Sequence, residues 1–246
     1  MRMHEISRSM SRAHSRDRFT DAGEAIRGFR IESAFVAFTK VARCPSKTLF
    51  ASEAVLTQTW NHRRRVEFAS GRECARTALK CSGLDSSEIL RHSNGAPAWP
   101  PHVRGSITHC ADFYAAVVGS DDDYSGLGLD AEPNIRLPLY LTQRFAAADE
   151  LNNILALQEE HPYLAWDRLL FCAKEAIFKA VSESFGQSLG ALEMQIRFDP
   201  RRMRFIARCD LHGRASRDES SVELCGSFFL VEGTILALVL VRRLRT

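Results

Sequence analysis

Two apolar runs near the C-terminal end, Phe228–Glu232 and Ile235–Val241, are separated only by Gly233-Thr234. A connection that short joins antiparallel neighbours, because parallel strands need a crossover of a dozen or more residues. The spacing therefore predicts a terminal hairpin, with further strands at Met194–Phe198 and Phe205–Cys209. Upstream, Phe35–Phe38, Ser106–His109, Tyr114–Val118 and Gly126–Asp130 also read as strands. Helical patterns cover Arg64–Cys81 (closed by Gly83), Gln143–Gln158 (broken before Pro162) and Trp166–Ser182. Ser52 is placed to cap a short helix, and Asn94-Gly95-Ala96-Pro97 marks a turn. Helices mixed with antiparallel strands in both halves give an α+β fold rather than a doubly wound sheet.

Composition narrows the class. The 246 residues suffice for one large or two small domains, and a 45% apolar, 26% charged chain is ordinary for a globular protein. A net charge of +3 gives no reason to expect nucleic acid, and Thr234–Val241 is far too short to cross a bilayer. Seven cysteines, at 44, 74, 81, 110, 172, 209 and 225, include no Cys-x-x-Cys pair. No zinc module or disulfide framework follows, and a reducing cytoplasm is the simplest setting. Residues 1–30, rich in Ser and Arg, are expected to form a disordered extension outside the fold.

The chemistry concentrates in two segments. In Gly126-Leu127-Gly128-Leu129-Asp130-Ala131-Glu132, a strand's period of two puts Asp130 and Glu132 on one face. In Trp166–Lys179, Glu175 and Lys179 are four apart on one helix face. Such residues are ordinarily a solvated strand edge and surface ion pairs. Here both clusters abut apolar segments, where a charge without a partner is costly. Asp130, Glu132 and Glu175 match the oxygen ligands Mg²⁺ prefers, with waters and substrate phosphates completing the shell. Lysines beside them suit a diphosphate. Asp121-Asp122-Asp123 is read as a solvated turn, and Trp99 and Trp166 as core anchors.

Five motifs in order carry a family resemblance. They are Arg64-Arg65-x-Glu67-Phe68-x-x-Gly71-Arg72, Gly95-x-Pro97-x-Trp99-Pro100, Gly105-Ser106-Ile107-Thr108-His109-Cys110, Gly128-Leu129-Asp130-Ala131-Glu132-Pro133 and Trp166-Asp167-Arg168-Leu169-Leu170-Phe171-x-Ala173-Lys174-Glu175-Ala176-x-x-Lys179. From about Leu49 onward the chain resembles the 4′-phosphopantetheinyl transferases of the surfactin type, in the enterobactin-synthase and actinobacterial siderophore–polyketide branch. Ala131 stands where many surfactin-type relatives carry a bulkier apolar residue, and alanine is usual in this branch.

The resemblance implies two similar α/β lobes forming a pseudo-dimer, an N-terminal lobe over 31–125 and a C-terminal lobe over 126–246, with coenzyme A in the cleft between them. It implies a monomer, since one chain supplies both sides. It also implies Mg²⁺-dependent transfer of the 4′-phosphopantetheine arm of coenzyme A to a serine of an acyl or peptidyl carrier protein, from polyketide, nonribosomal peptide or fatty acid synthesis. It assigns Asp130, Glu132 and Glu175 to the metal, Glu175 also to the base, and Lys174 and Lys179 to phosphate. Thr108, His109, Arg64, Arg72 and Arg91 become the nucleotide grip, although ordinary surface arginine is an equal reading for Arg91. Arg201, Arg202 and Arg204, or Arg242, Arg243 and Arg245, are candidate patches for an acidic carrier, as is the loop around Arg136–Pro138 with the helix after it. Two alternatives stay open: a Mg²⁺-dependent hydrolase of coenzyme A or another nucleotide anhydride, and a non-catalytic coenzyme A-binding protein.

Overall fold

The computed structural model describes residues 18–21, 26–84, 87–186, 189–210 and 221–243. These divide into two compact units, the described residues up to 107 with 112–123, and 108–111 with those from 124 onward. The break between the lobes therefore comes two residues before the expected one, and a short stretch at 108–111 belongs to the second unit.

In the first unit, β1 (Arg18–Asp21), β2 (Ile26–Ile31) and β3 (Ala34–Thr39) form an antiparallel meander. Residues 18–21 and 26–30 were expected outside the fold. They belong to its sheet because β2 buries Ile26, Gly28 and Phe29 and pairs with β1 on one side and β3 on the other. Residues 1–17 and 22–25 of that expected extension lie outside the described residues. Next come α1 (Pro45–Thr48), α2 (Ala51–Thr57) and α3 (His62–Cys81), then the two-residue strands β4 (Leu90–Arg91) and β5 (Pro97–Ala98). The strands β6 (Val103–Cys110) and β7 (Phe113–Ser120) complete a sheet of order β1-β2-β3-β7-β6.

Helix α3 starts two residues before the expected Arg64, because the Asn61 side chain accepts the Arg64 N–H at 2.9 Å and caps it. Its buried face, including Cys74, Ala75, Ala78 and Leu79, joins Ile26, Ala37, Ala116 and Val118 in one core. Ser52 lies inside α2 rather than capping it. The buried Glu53 takes the capping task, accepting the Phe50 N–H at 3.0 Å while pairing with Arg76 at 3.1 Å.

In the second unit, β8 (Tyr124–Pro133) is followed by α4 (Leu139–Thr142), α5 (Ala148–Glu160) and α6 (Trp166–Phe185). Four strands then follow, β9 (Met194–Asp199), β10 (Arg204–Asp210), β11 (Ser221–Val231) and β12 (Thr234–Arg242). The sheet order is β8-β12-β11-β10-β9, antiparallel throughout. The expected hairpin is present, turning through Glu232 (φ 52°) and Gly233 (φ 79°). The helix expected from Gln143 starts only at Ala148, because Glu150 reaches back to the Ala147 N–H at 2.9 Å. Helix α6 ends at Gly186, whose φ of 62° suits a residue without a side chain.

The apolar face of α6, from Trp166 through Leu169, Leu170, Ala173, Ile177 and Ala180, packs onto Ile235, Ala237 and Val239 of β12. Along β8 the contact is closer still. A Cβ on Gly128 would lie 1.8 Å from the Ala176 carbonyl oxygen, and one on Gly126 would lie 2.4 Å from that of Ala180. Only glycine lets helix backbone rest on strand backbone there. Asp130 and Glu132 follow on the same strand face. Among the described residues, no helix is long and apolar enough to cross a membrane.

Candidate active site on β8 and α6

The site is a carboxylate cluster held by cations of one helix. Asp130 is buried near the end of β8, where Lys179 of α6 donates to its Oδ1 at 2.8 Å. The same ammonium donates to the Leu129 carbonyl at 3.0 Å, and the Thr108 hydroxyl donates to Asp130 Oδ1 at 3.1 Å. Asp130 Oδ2 is buried, and the Cys172 thiol, pushed up first by burial and then by the Asp130 charge, lies close enough to hydrogen-bond with Asp130. Two residues on, Glu132 Oε2 accepts from Arg168 Nη1 at 3.1 Å.

The charges of these acids act on one another. Burial, then the Asp130 charge, pushes the Glu132 carboxyl above its ordinary range, with Glu175 adding to the rise and Arg168 opposing it. Burial, then Asp130, likewise raises Glu175, and Lys179 opposes that rise. Three carboxylates within electrostatic reach of one another suit a divalent cation. Among the described residues, no three His, Cys, Asp or Glu side chains come together as a ready metal site, so a divalent cation held here would rely on waters and substrate phosphates for much of its shell.

Several expected site residues have other tasks. Lys174, expected to contact phosphate, is buried, and its ammonium faces Glu150 Oε2 at 2.8 Å and the carbonyls of Phe145, Ala191 and Met194 at 2.8, 2.8 and 3.0 Å. With three N–H donors and four protein acceptors, it has no donor to spare. Burial holds its pKa below that of an ordinary lysine, against the pull of Glu150. Thr108, expected to bond the nucleotide, commits its single hydroxyl proton to Asp130. His109, half-buried, follows it on the stretch of β6 that belongs to the second unit.

The three arginines expected to hold phosphate all lie in the first unit. Arg72 is buried, donating to the carbonyls of Ile89 at 2.8 Å and Leu90 at 2.9 Å, with Phe68 3.9 Å beneath its guanidinium. Burial lowers its pKa to about 10, and the charges of Arg76, Arg91 and Arg64 push the same way. It braces the 89–91 segment rather than presenting a fork to a ligand. Arg64 and Arg91 are exposed, and both guanidinium groups lie over the Trp60 ring, at 5.9 and 5.7 Å. Trp60 was not singled out from the sequence. Lying just before α3 and 31 residues from Arg91, it gives no periodic signal that links them.

Arg201, Arg202 and Arg204 are exposed at the β9–β10 turn, where Arg202 pairs with Asp199 at 3.4 Å. Arg242 and Arg243 are exposed, and Arg245 of that patch lies outside the described residues. Beside the carboxylates, the loop after β8 carries Ile135, and α4 carries Leu139 and Tyr140, all more than half exposed. A cavity of about 90 Å³ nearby is lined by Arg136, Leu137, Leu139, Leu151, Ile154 and Asp167, among others.

Comparison with known proteins covers both units. The family model for the 4′-phosphopantetheinyl transferase N-terminal domain matches residues 51–119, and that for the 4′-phosphopantetheinyl transferase superfamily matches residues 126–226. The chain is similar to the 4′-phosphopantetheinyl transferase Svp of Streptomyces mobaraensis, 40% identical over 70% of each chain. It is also similar to the 4′-phosphopantetheinyl transferase PptT of Mycobacterium tuberculosis, 33% identical over 79% of this chain and 87% of the relative. Enterobactin synthase component D of Escherichia coli is 29% identical over 66% of this chain and 75% of its own length.

Proposed function

The chain belongs to the 4′-phosphopantetheinyl transferase superfamily, and from that premise we propose that β8 and α6 carry out transfer of phosphopantetheine from coenzyme A to a carrier-protein serine. The observation that carries this reading is Asp130. Its Oδ1 is fixed by Lys179 and Thr108, which holds the buried carboxylate within electrostatic reach of Glu132 and Glu175.

In the proposed reaction the serine oxygen attacks the β-phosphorus of coenzyme A. The serine proton passes to Glu175, directly or through a water. The bond from that phosphorus to the bridging oxygen breaks, and 3′,5′-ADP leaves with the electron pair. Such a displacement requires mainly alignment of nucleophile and leaving group and stabilisation of spread charge. Asp130, Glu132 and Glu175 would hold Mg²⁺, which supplies Lewis acidity and a template for the diphosphate when bound. Lys179 holds Asp130 in place, and its side chain is 28% exposed, with one N–H beyond those given to Leu129 and Asp130 for a phosphate oxygen. Arg64 and Arg91, held over Trp60, are the stronger candidates for the 3′-phosphate end, with His109 as a further donor.

The exposed Ile135, Leu139 and Tyr140 with Arg136, 58% exposed and paired with Asp167, form the proposed carrier-docking surface, apolar side chains beside a cation for an acidic partner. Arg136→Glu should raise the carrier KM; an unchanged value would remove that surface. The reaction itself is tested by analysing products from coenzyme A with and without an apo carrier protein. Transfer releases 3′,5′-ADP only when the carrier is present, whereas a hydrolase releases free phosphopantetheine in its absence.

A further inference from the structure

The first turn of α6 holds two charged residues to which the transfer reading gives no task, Asp167 and Arg168. Arg168 lies seven residues before Glu175 and eleven before Lys179, so the three share one helix face. At one end of that face Lys179 grips Asp130. At the other, Arg168 Nη1 donates to Glu132 Oε2 at 3.1 Å, and Arg168 Nε donates to the Ile135 carbonyl at 3.0 Å. Each acid of β8 is thus held by a cation from a different end of the helix, with Glu175 between those cations in sequence. Asp167, 5% exposed, fastens the same loop by accepting the Leu137 N–H at 3.2 Å and Arg136 Nε at 3.4 Å. It makes no contact with Glu132 among these bonds.

We propose that Arg168 is a positioning residue that fixes the Glu132 carboxylate relative to Glu175 for a divalent cation. One nitrogen holds the carboxylate, and another anchors the guanidinium on the backbone just past the end of β8, so the acid cannot swing with the loop. The Arg168 and Glu132 side chains are only 20% and 19% exposed, so water replaces the contact poorly. Its charge also offsets repulsion from Asp130 and Glu175, leaving the other Glu132 oxygen to the cation. Lysine, a single point charge on a flexible stem, would do only part of this. The inference rests on the proposed assignment of Asp130, Glu132 and Glu175 to a divalent cation.

The test is a Mn²⁺ titration of protein free of coenzyme A, followed by electron paramagnetic resonance, for wild type, Arg168→Gln, Arg168→Lys and Asp167→Asn. Arg168→Gln should weaken Mn²⁺ binding by about 10–100-fold, as loss of groups that orient metal ligands commonly does. Arg168→Lys should recover part of the loss, and Asp167→Asn, which loosens the loop but leaves the Arg168–Glu132 contact, should lose far less Mn²⁺ affinity than Arg168→Gln. In turnover, Arg168→Gln should lower kcat more than it raises the coenzyme A KM. Wild-type Mn²⁺ affinity in Arg168→Gln, or an equal loss in Asp167→Asn, would overturn the positioning role alone. A wild-type protein that takes up no Mn²⁺ would overturn the cation site and this inference with it.

Discussion

Lys174 separates the role expected from sequence from the role the fold gives it. Replacing it by methionine keeps much of the stem and removes an ammonium bonded to Glu150 at 2.8 Å and to three carbonyls. Glu150 stays buried, still accepting the backbone N–H groups of Ala147 at 2.9 Å and Ile196 at 2.8 Å, but without its counter-charge. Removing one partner of a buried pair costs about 3–5 kcal/mol, because the remaining charge is left uncompensated. At roughly 2–4 °C per kcal/mol for a chain of this size, Lys174→Met should lower Tm by about 6–20 °C. Adding Glu150→Gln should restore part of that loss, since glutamine removes the stranded charge. Circular dichroism melts of wild type, single and double variants read the effect, with coenzyme A affinity measured calorimetrically at a temperature where all are folded. The reasoning fails if Lys174→Met melts like wild type while losing coenzyme A affinity, which would put the ammonium on phosphate.

Other substitutions probe the site and its frame. Asp130→Asn and Glu175→Gln should abolish transfer while melting within a few degrees of wild type, and normal turnover by either would remove that residue from the mechanism. Gly128→Ala must displace the Ala176 carbonyl, 1.8 Å from the new Cβ. Overpacking of this kind costs about 1–3 kcal/mol or more, so a variant with wild-type Tm and activity would contradict the backbone contact. Arg64→Ala and Arg91→Ala should weaken coenzyme A more than dephospho-coenzyme A, and equal losses would place both away from the 3′-phosphate. Iodoacetamide reacts with thiolates, so at mildly alkaline pH exposed Cys44, its pKa lowered chiefly by the Ser46 hydroxyl, should label early. Cys74 and Cys209, pushed up by burial to about 12 and about 11, and Cys172, also raised by burial, should label last; peptide mass spectrometry showing Cys172 as fast as Cys44 would refute this.

What was legible in the sequence followed local periodicity. The β8 and α6 segments, the α3 helix and the terminal hairpin show in spacing of apolar residues and glycines, and so does the shared face of Asp130 and Glu132. The 18–31 strands were missed because exposed Arg27 and Arg30 interrupt the buried residues in a stretch whose charge and serine content read as solvated. Pairings remote in sequence were also invisible, such as Thr108 with Asp130 across 22 residues and Arg168 with Glu132 across 36. Lys174 shows how adjacency misleads. Neighbours on a helix point about 100° apart, so the residue beside Glu175 turns toward α5 and the start of β9 while Glu175 and Lys179 share the face toward β8.

The most direct test of transfer by β8 and α6 is the intact mass of an apo carrier protein incubated with coenzyme A, Mg²⁺ and this enzyme, beside an EDTA control. The expected result is a gain of one phosphopantetheine on the carrier that disappears in EDTA. No gain on carriers from polyketide, nonribosomal peptide and fatty acid synthesis, while coenzyme A is bound or cleaved, would contradict it.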